Sequence, residues 1–116
     1  MTESEKNIQL WQFMLSLLND KKYVHVMQWR NELEPDNRAL ESEFRINDPN
    51  ELAKLWGQTK GNESMKFASL SRTLRTYQSN GIMVKSRDDD SVYRFNFDLK
   101  TFSGYDSSEI AKLKAQ

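Results

Sequence analysis

Residues 65–81 read MKFASLSRTLRTYQSNG, and this stretch decides the fold. Phe67, Leu70, Leu74 and Tyr77 recur at steps of three and four, which predicts an amphipathic helix with one apolar face. At about 100° per residue, Arg72 lies nearly opposite the middle of that face, and Arg75 falls on the same outward side. Their exposed neighbours, Ala68, Ser69, Thr76 and Ser79, are all small. Two guanidinium arms on a low, uncharged platform suit close approach to a partner. The planar arginine fork also matches guanine O6 and N7 in the major groove of DNA. The plain alternative is a solvated face that carries two arginines, and this helix alone leaves both readings open.

Just upstream, Asp48-Pro49-Asn50-Glu51 is the clearest local signal in the chain. Asp caps a helix, Pro suits its first position, and Glu three residues after the cap completes a capping box. Leu52, Leu55 and Trp56 give that helix an inward face, and Gly57 is its expected stop. Gln58 to Ser64 then reads as a polar turn, with Ser64 as cap of the arginine-bearing helix over 65–79. Two helices joined by such a turn make a helix-turn-helix. Downstream, Asn80-Gly81 stops the second helix. Ile82 to Val84 and Ser91 to Phe97 form a hairpin around a turn at 86–90, with Tyr93, Phe95 and Phe97 alternating toward the core. A helix-turn-helix followed by a hairpin is the winged arrangement.

Residues 1–7 read as a loose tail ending at a possible cap, Asn7. Ile8, Trp11, Leu15 and Leu18, flanked by Leu10, Met14 and Leu17, predict a helix buried over a wide arc. Lys21 to Trp29 reads as a strand, with Tyr23, His25, Met27 and Trp29 on one side and Val24 and Val26 on the other. Arg30 to Glu43 reads as an acid-rich surface loop, and Phe44 to Ile46 as a short partner strand. Asp106-Ser107-Ser108-Glu109 repeats the capping-box pattern and starts a short helix carrying Ile110 and Leu113. The expected fold class is α+β: three core helices, a small antiparallel four-stranded sheet and a short C-terminal helix.

At 116 residues there is room for one domain. Net charge is zero, with 17 basic and 17 acidic residues, but its distribution is uneven. Lys54 to Arg87 holds seven basic residues against Glu63, a block of +6 that leaves −6 for the rest. Such a block is a modest footprint for an anionic partner. The absence of cysteine excludes disulfides, cysteine-based zinc sites and thiol catalysis. His25 reads as a surface or edge side chain, not a catalyst, and Asp88, Asp89 and Asp90 as a solvated turn, not a metal site. No nucleophile–base pair or phosphate-cradling glycine loop is present, so neither an enzyme nor a cofactor or small-molecule substrate is expected. The polar start MTESEKN is no signal peptide, and no apolar run is long enough to span a membrane. An intracellular compartment is the default expectation.

The runs IQLWQFMLSLL (8–18), INDPNELAKLWG (46–57), MKFASLSRTLR (65–75) and SVYRFNFDL (91–99) resemble the ETS domain, in its order and nearly at its spacing. The segment from Ser103-Gly104-Tyr105 into the capped helix resembles the C-terminal flank of the domain in some members. The resemblance implies a winged helix-turn-helix domain over 8–99, preceded by the tail 1–7 and followed by an extension over 100–116. It also implies a nuclear transcription factor that binds duplex DNA around a GGA core, in the form GGA(A/T). The two arginines of the family's R-x-L-R pattern, which read the guanines, fall on Arg72 and Arg75. The phosphate-contacting amide at the start of the first helix falls at Leu10, and the tryptophan of W-G falls at Trp56. Lys60 and Lys85 match basic positions in the turn and wing, Tyr77 matches one tyrosine of the family's run, and Lys66 joins this phosphate set.

The departures are as informative. Asn62, Glu63 and Ser64 replace most of a basic turn, Ser69 stands where lysine is usual, and Phe67 replaces a tyrosine. Thr76 and Gln78 flank Tyr77 where tyrosines are usual; the wing reads Arg87-Asp88-Asp89-Asp90, and Ser91 replaces its tyrosine. The base-reading pair is kept while much of the phosphate grip is gone. The expectation is therefore a weakened but sequence-selective DNA binder. The alternative is an ETS-like fold serving as a protein-interaction module, through the C-terminal helix or the acidic 30–43 loop.

Overall fold

The computed structural model describes residues 8–30, 43–87 and 89–97. The N-terminal tail with Asn7, most of the 30–43 loop, Asp88 and the C-terminal helix lie outside the described residues. Helix α1 spans Leu10–Leu18 and is followed by a 3-10 turn over Lys21–Tyr23, strand β1 (Met27–Trp29) and strand β2 (Glu43–Ile46). Helices α2 (Pro49–Lys60) and α3 (Phe67–Ser79) come next, then β3 (Met83–Lys85) and β4 (Val92–Phe95). The winged helix-turn-helix fold is as expected: among the described residues there are three helices and one four-stranded antiparallel sheet in the order β1-β2-β4-β3.

This order makes α2 and α3 an excursion from the sheet. The chain leaves at β2, crosses through both helices, enters at the β3 edge, and returns through a hairpin to place β4 beside β2. Register aligns Trp29, Phe44 and Tyr93 in one row and pairs Met83 with Phe95, so these side chains share the face toward the helices. On that face Phe44 and Phe95 are almost wholly buried, the Phe95 ring meeting Trp11 of α1, whose Leu10, Trp11, Phe13, Met14, Leu17 and Leu18 are also buried in the same core. The opposite face carries Arg45 beside Val92 and Glu43 beside Arg94. Val92 is fully buried there despite its place in the alternation.

Asp48 caps α2 as expected, its carboxylate accepting from the Glu51 amide at 3.1 Å. The reciprocal half of the box is replaced, because the Asp48 amide donates to the Val26 carbonyl instead. Asn80 and Gly81 end α3, Gly81 taking φ +76°.

Four local expectations are corrected. Residues 21–26 of the expected 21–29 strand do not join the sheet: the Asp20 carboxylate accepts from the Lys22 amide and winds a 3-10 turn. The alternation there misleads, since Val24 and His25 are exposed whereas Val26 and Met27 are buried back to back. Helix α1 begins at Leu10, two residues later than Ile8, where the Gln12 side chain accepts from the Gln9 amide. Ser64 does not cap α3; Lys66 holds the cap position without a side-chain bond, and the Ser64 hydroxyl and amide both donate to Asn62.

Gly57 is not the stop of α2, which continues to Lys60 and ends at Gly61 with φ +73°. Gly57 lies inside the helix because the following turn folds back onto it. A Cβ there would meet the Asn62 carbonyl oxygen at 2.3 Å and the Met65 Cβ at 2.8 Å. Gly→Ala inside a helix ordinarily stabilises by up to about 1 kcal/mol. Here the sign reverses, and Gly57→Ala is expected to cost roughly 1–3 kcal/mol through overpacking. Urea denaturation of the two proteins measures it.

Candidate nucleic-acid interface

Helix α3 buries Leu70, Leu74 and Tyr77 and turns Arg72 and Arg75 to solvent. Ala68, Ser69, Thr76 and Ser79 are exposed around them, so the low platform around the arginines is present. Among the described residues neither arginine takes part in an ion pair. Both forks are therefore available to a ligand without breaking an ion pair among the described residues.

Beside Arg72 runs an open groove of about 480 Å³ between the start of α1, the end of α2 and the flank of α3. Leu10, Trp56, Lys60, Arg72 and Tyr77, all named from the sequence, line it together with Thr73 and Thr76. Lys60 is held in place: its ammonium donates to the Ile8 carbonyl at 2.9 Å and sits 4.9 Å from the centre of the Trp56 ring. The Trp56 ring in turn packs on Phe13, with centroids 5.2 Å apart. Tyr77 is buried, and its hydroxyl oxygen accepts from the Trp11 amide at 3.3 Å. Burial pushes its phenol pKa up, partly offset by the Trp11 and Leu10 amides. Tyr77 thus ties α3 to the first turn of α1, where unpaired helical amides concentrate positive potential.

The remaining predicted residues lie apart. Arg75 is outward on α3 but does not line the groove, and Lys66 is exposed at the start of α3. Lys85 stands on the wing, its ammonium 3.7 Å from Asp90 and 5.9 Å from the Tyr93 ring centre. Its charge is already partly answered.

The wing itself contains a latch that local sequence did not reveal. The Asp89 carboxylate accepts from the Ser91 hydroxyl at 2.6 Å, the Ser91 amide at 2.9 Å and the Arg45 guanidinium at 2.9 Å. The Ser91 hydroxyl, then its amide, hold the Asp89 carboxyl below its ordinary pKa, with a smaller contribution from Arg45. Arg30 and Glu43 form a further ion pair. Asp89 is therefore turned back onto the sheet, whereas Asp90 is almost wholly exposed. The Asp89–Ser91 pattern is a readable Asx turn; the Arg45 partner, 44 residues away, carries no local signal.

A sheet-backed helix-turn-helix with outward arginines and a hairpin wing defines the winged-helix class. The Ets-domain family model matches residues 7–96. The chain is 38% identical over 106 residues to protein C-ets-2 of Lytechinus variegatus, covering 91% of this chain and 89% of that protein. It is 38% identical over 112 residues to the mouse GA-binding protein alpha chain, and 38% identical over 89 residues to transcription factor ast-1 of Caenorhabditis elegans. Those matches cover 97% and 77% of this chain but only 23% and 22% of the two longer relatives. This chain belongs to the Ets-domain family. Its homologues are DNA-binding transcription factors. Among the described residues no helix is long and apolar enough to cross a membrane.

Proposed function

We propose that this chain binds duplex DNA at a GGA(A/T)-type core, as the 8–99 domain of a nuclear transcription factor. Helix α3 lies in the major groove, Arg72 and Arg75 take the two guanines, and the groove beside Arg72 receives the phosphate backbone. The observation that carries this reading is the pair of unengaged arginines on a platform of small residues, flanked by a groove with a fixed lysine. Lys60, Lys66 and Lys85 are the cations of the phosphate set, the Leu10 position in the first turn of α1 supplies a backbone amide, and Trp56 joins them at the wall of the groove.

The phosphate grip is correspondingly light. Each phosphate neutralised contributes about 0.9 to the slope of log K against log salt, so three lysines set a ceiling of roughly 2.7. Fluorescence anisotropy of a GGAA duplex and a scrambled duplex across salt concentrations tests both parts. The expected result is a GGAA preference that persists as salt rises, with a slope no steeper than that ceiling. A steeper slope would refute the light grip. Equal binding to both duplexes, or none, would refute base readout and favour the protein-interaction alternative, for which the exposed acidic Asp90 on the wing is the supporting observation.

A further inference from the structure

Three threonines fall among the described residues, and all stand in helices: Thr59 in α2, Thr73 and Thr76 in α3. A helical threonine commonly returns its hydroxyl proton to the carbonyl one turn earlier. Thr59 does so to Leu55 at 3.1 Å, and Thr76 to Arg72 at 3.2 Å. Thr73 does not: its hydroxyl makes no hydrogen bond among the described residues, so its proton is uncommitted within the fold. Thr73 is half-buried at the wall of the groove beside Arg72, where it shares the lining with Leu10, Lys60 and Tyr77. Among the described residues no carboxylate lines that groove. Lys60, held by the Ile8 carbonyl, brings a positive charge to it, and the first turn of α1 adds the positive end of a helix dipole. The ligand such a wall suits is an anion whose oxygens accept hydrogen bonds.

We propose that Thr73 is a phosphate-binding residue, donating its hydroxyl proton to the same backbone phosphate that Lys60 neutralises. The inference rests on the DNA reading above and adds to it a contact that carries no charge. A lysine on a phosphate releases counterions, whereas a hydroxyl donor releases none. Thr73 therefore adds affinity that the salt slope does not register. A phosphate oxygen carries no base identity, so this contact strengthens binding to any duplex and leaves discrimination to Arg72 and Arg75.

The test is anisotropy of the whole chain with the GGAA duplex, the scrambled duplex, and GGAA duplexes in which each phosphate near the core is replaced singly by a methylphosphonate. That replacement removes the charge and one unbridged oxygen. Thr73→Val keeps the side-chain shape and should bind both unmodified duplexes roughly tenfold more weakly, the value of one hydrogen bond to a charged acceptor. Its salt slope should match that of the wild type, while Lys60→Met should lower the slope by about 0.9. Thr73→Ser keeps the hydroxyl and should recover most of the affinity. At one methylphosphonate position the Thr73→Val and Lys60→Met penalties should both largely disappear. Thr73→Val binding as tightly as the wild type, or more tightly, would overturn the proposal. So would a penalty confined to the GGAA duplex, which would mark a base contact, or one equal at every methylphosphonate position, which would mark a structural effect. A wild type that binds both duplexes alike, with the Thr73→Val penalty intact, would overturn the arginine readout and leave the Thr73 contact standing. Absence of binding to either duplex would overturn both.

Discussion

Arg72→Ala is expected to lower affinity for a GGAA duplex by roughly five- to 150-fold while leaving the scrambled duplex nearly unchanged. This is the range of about 1–3 kcal/mol carried by one bidentate arginine–guanine pair. Arg75→Ala should behave in the same way. Neither substitution touches a buried group or an ion pair among the described residues, so stability should move by no more than about 0.5 kcal/mol. A thermal melt run beside the titration separates lost reading from lost folding. Arg72→Lys is the sharper variant, because it keeps the charge and loses the fork. It should keep the salt slope and still lose most of the discrimination. If Arg72→Ala weakened both duplexes equally, Arg72 would be a phosphate contact and the assigned readout would be wrong.

That expectation was legible in sequence for a simple reason. A helix that buries Leu70, Leu74 and Tyr77 has little freedom in where it points Arg72 and Arg75, so spacing alone sets their exposure. The Asp48 cap and the Asn80-Gly81 stop were readable because their chemistry is local. The failures have two sources, contacts from outside the local stretch and a local bond that overrides the alternation. Gly57 looks like a terminator by composition, but its place inside α2 depends on the backbone of Asn62 returning against it. Tyr23 to Trp29 alternates as a strand should, yet one carboxylate, that of Asp20, bends its first part into a turn. The Lys60 bond to the Ile8 carbonyl spans 52 residues, and the Tyr77 bond to the Trp11 amide spans 66. Both shape the groove, and neither follows from residue type or spacing.

Phe95→Ala is expected to be the most damaging single substitution in stability terms. The Phe95 ring is 1% exposed, and its centroid lies 4.9 Å from Phe44, 5.8 Å from Phe97, 6.1 Å from Trp29 and 6.5 Å from Trp11. It joins the helical and sheet halves of the core, since Trp11 belongs to α1 while Trp29 and Phe44 belong to β1 and β2. Truncating a buried phenylalanine costs roughly 3–5 kcal/mol, because rings of this size cannot collapse into the space left. Against a typical total of about 5–15 kcal/mol for a domain, that is a large share. Phe95→Leu keeps most of the apolar volume and should cost clearly less. Trp29→Ala should also cost less than Phe95→Ala: Trp29 is only half-buried, and its indole nitrogen donates to the Asn19 side chain in an exposed bond. The ordering Phe95→Ala, then Trp29→Ala, then Phe95→Leu in urea midpoints is the check. The damage should extend to DNA binding, because β4 pairs with β3 and α3 packs on β3. An aromatic cluster whose centre could be removed at a cost of about 1 kcal/mol, well under that truncation range, would mean that the helices, and not the sheet, hold α3 in its reading position.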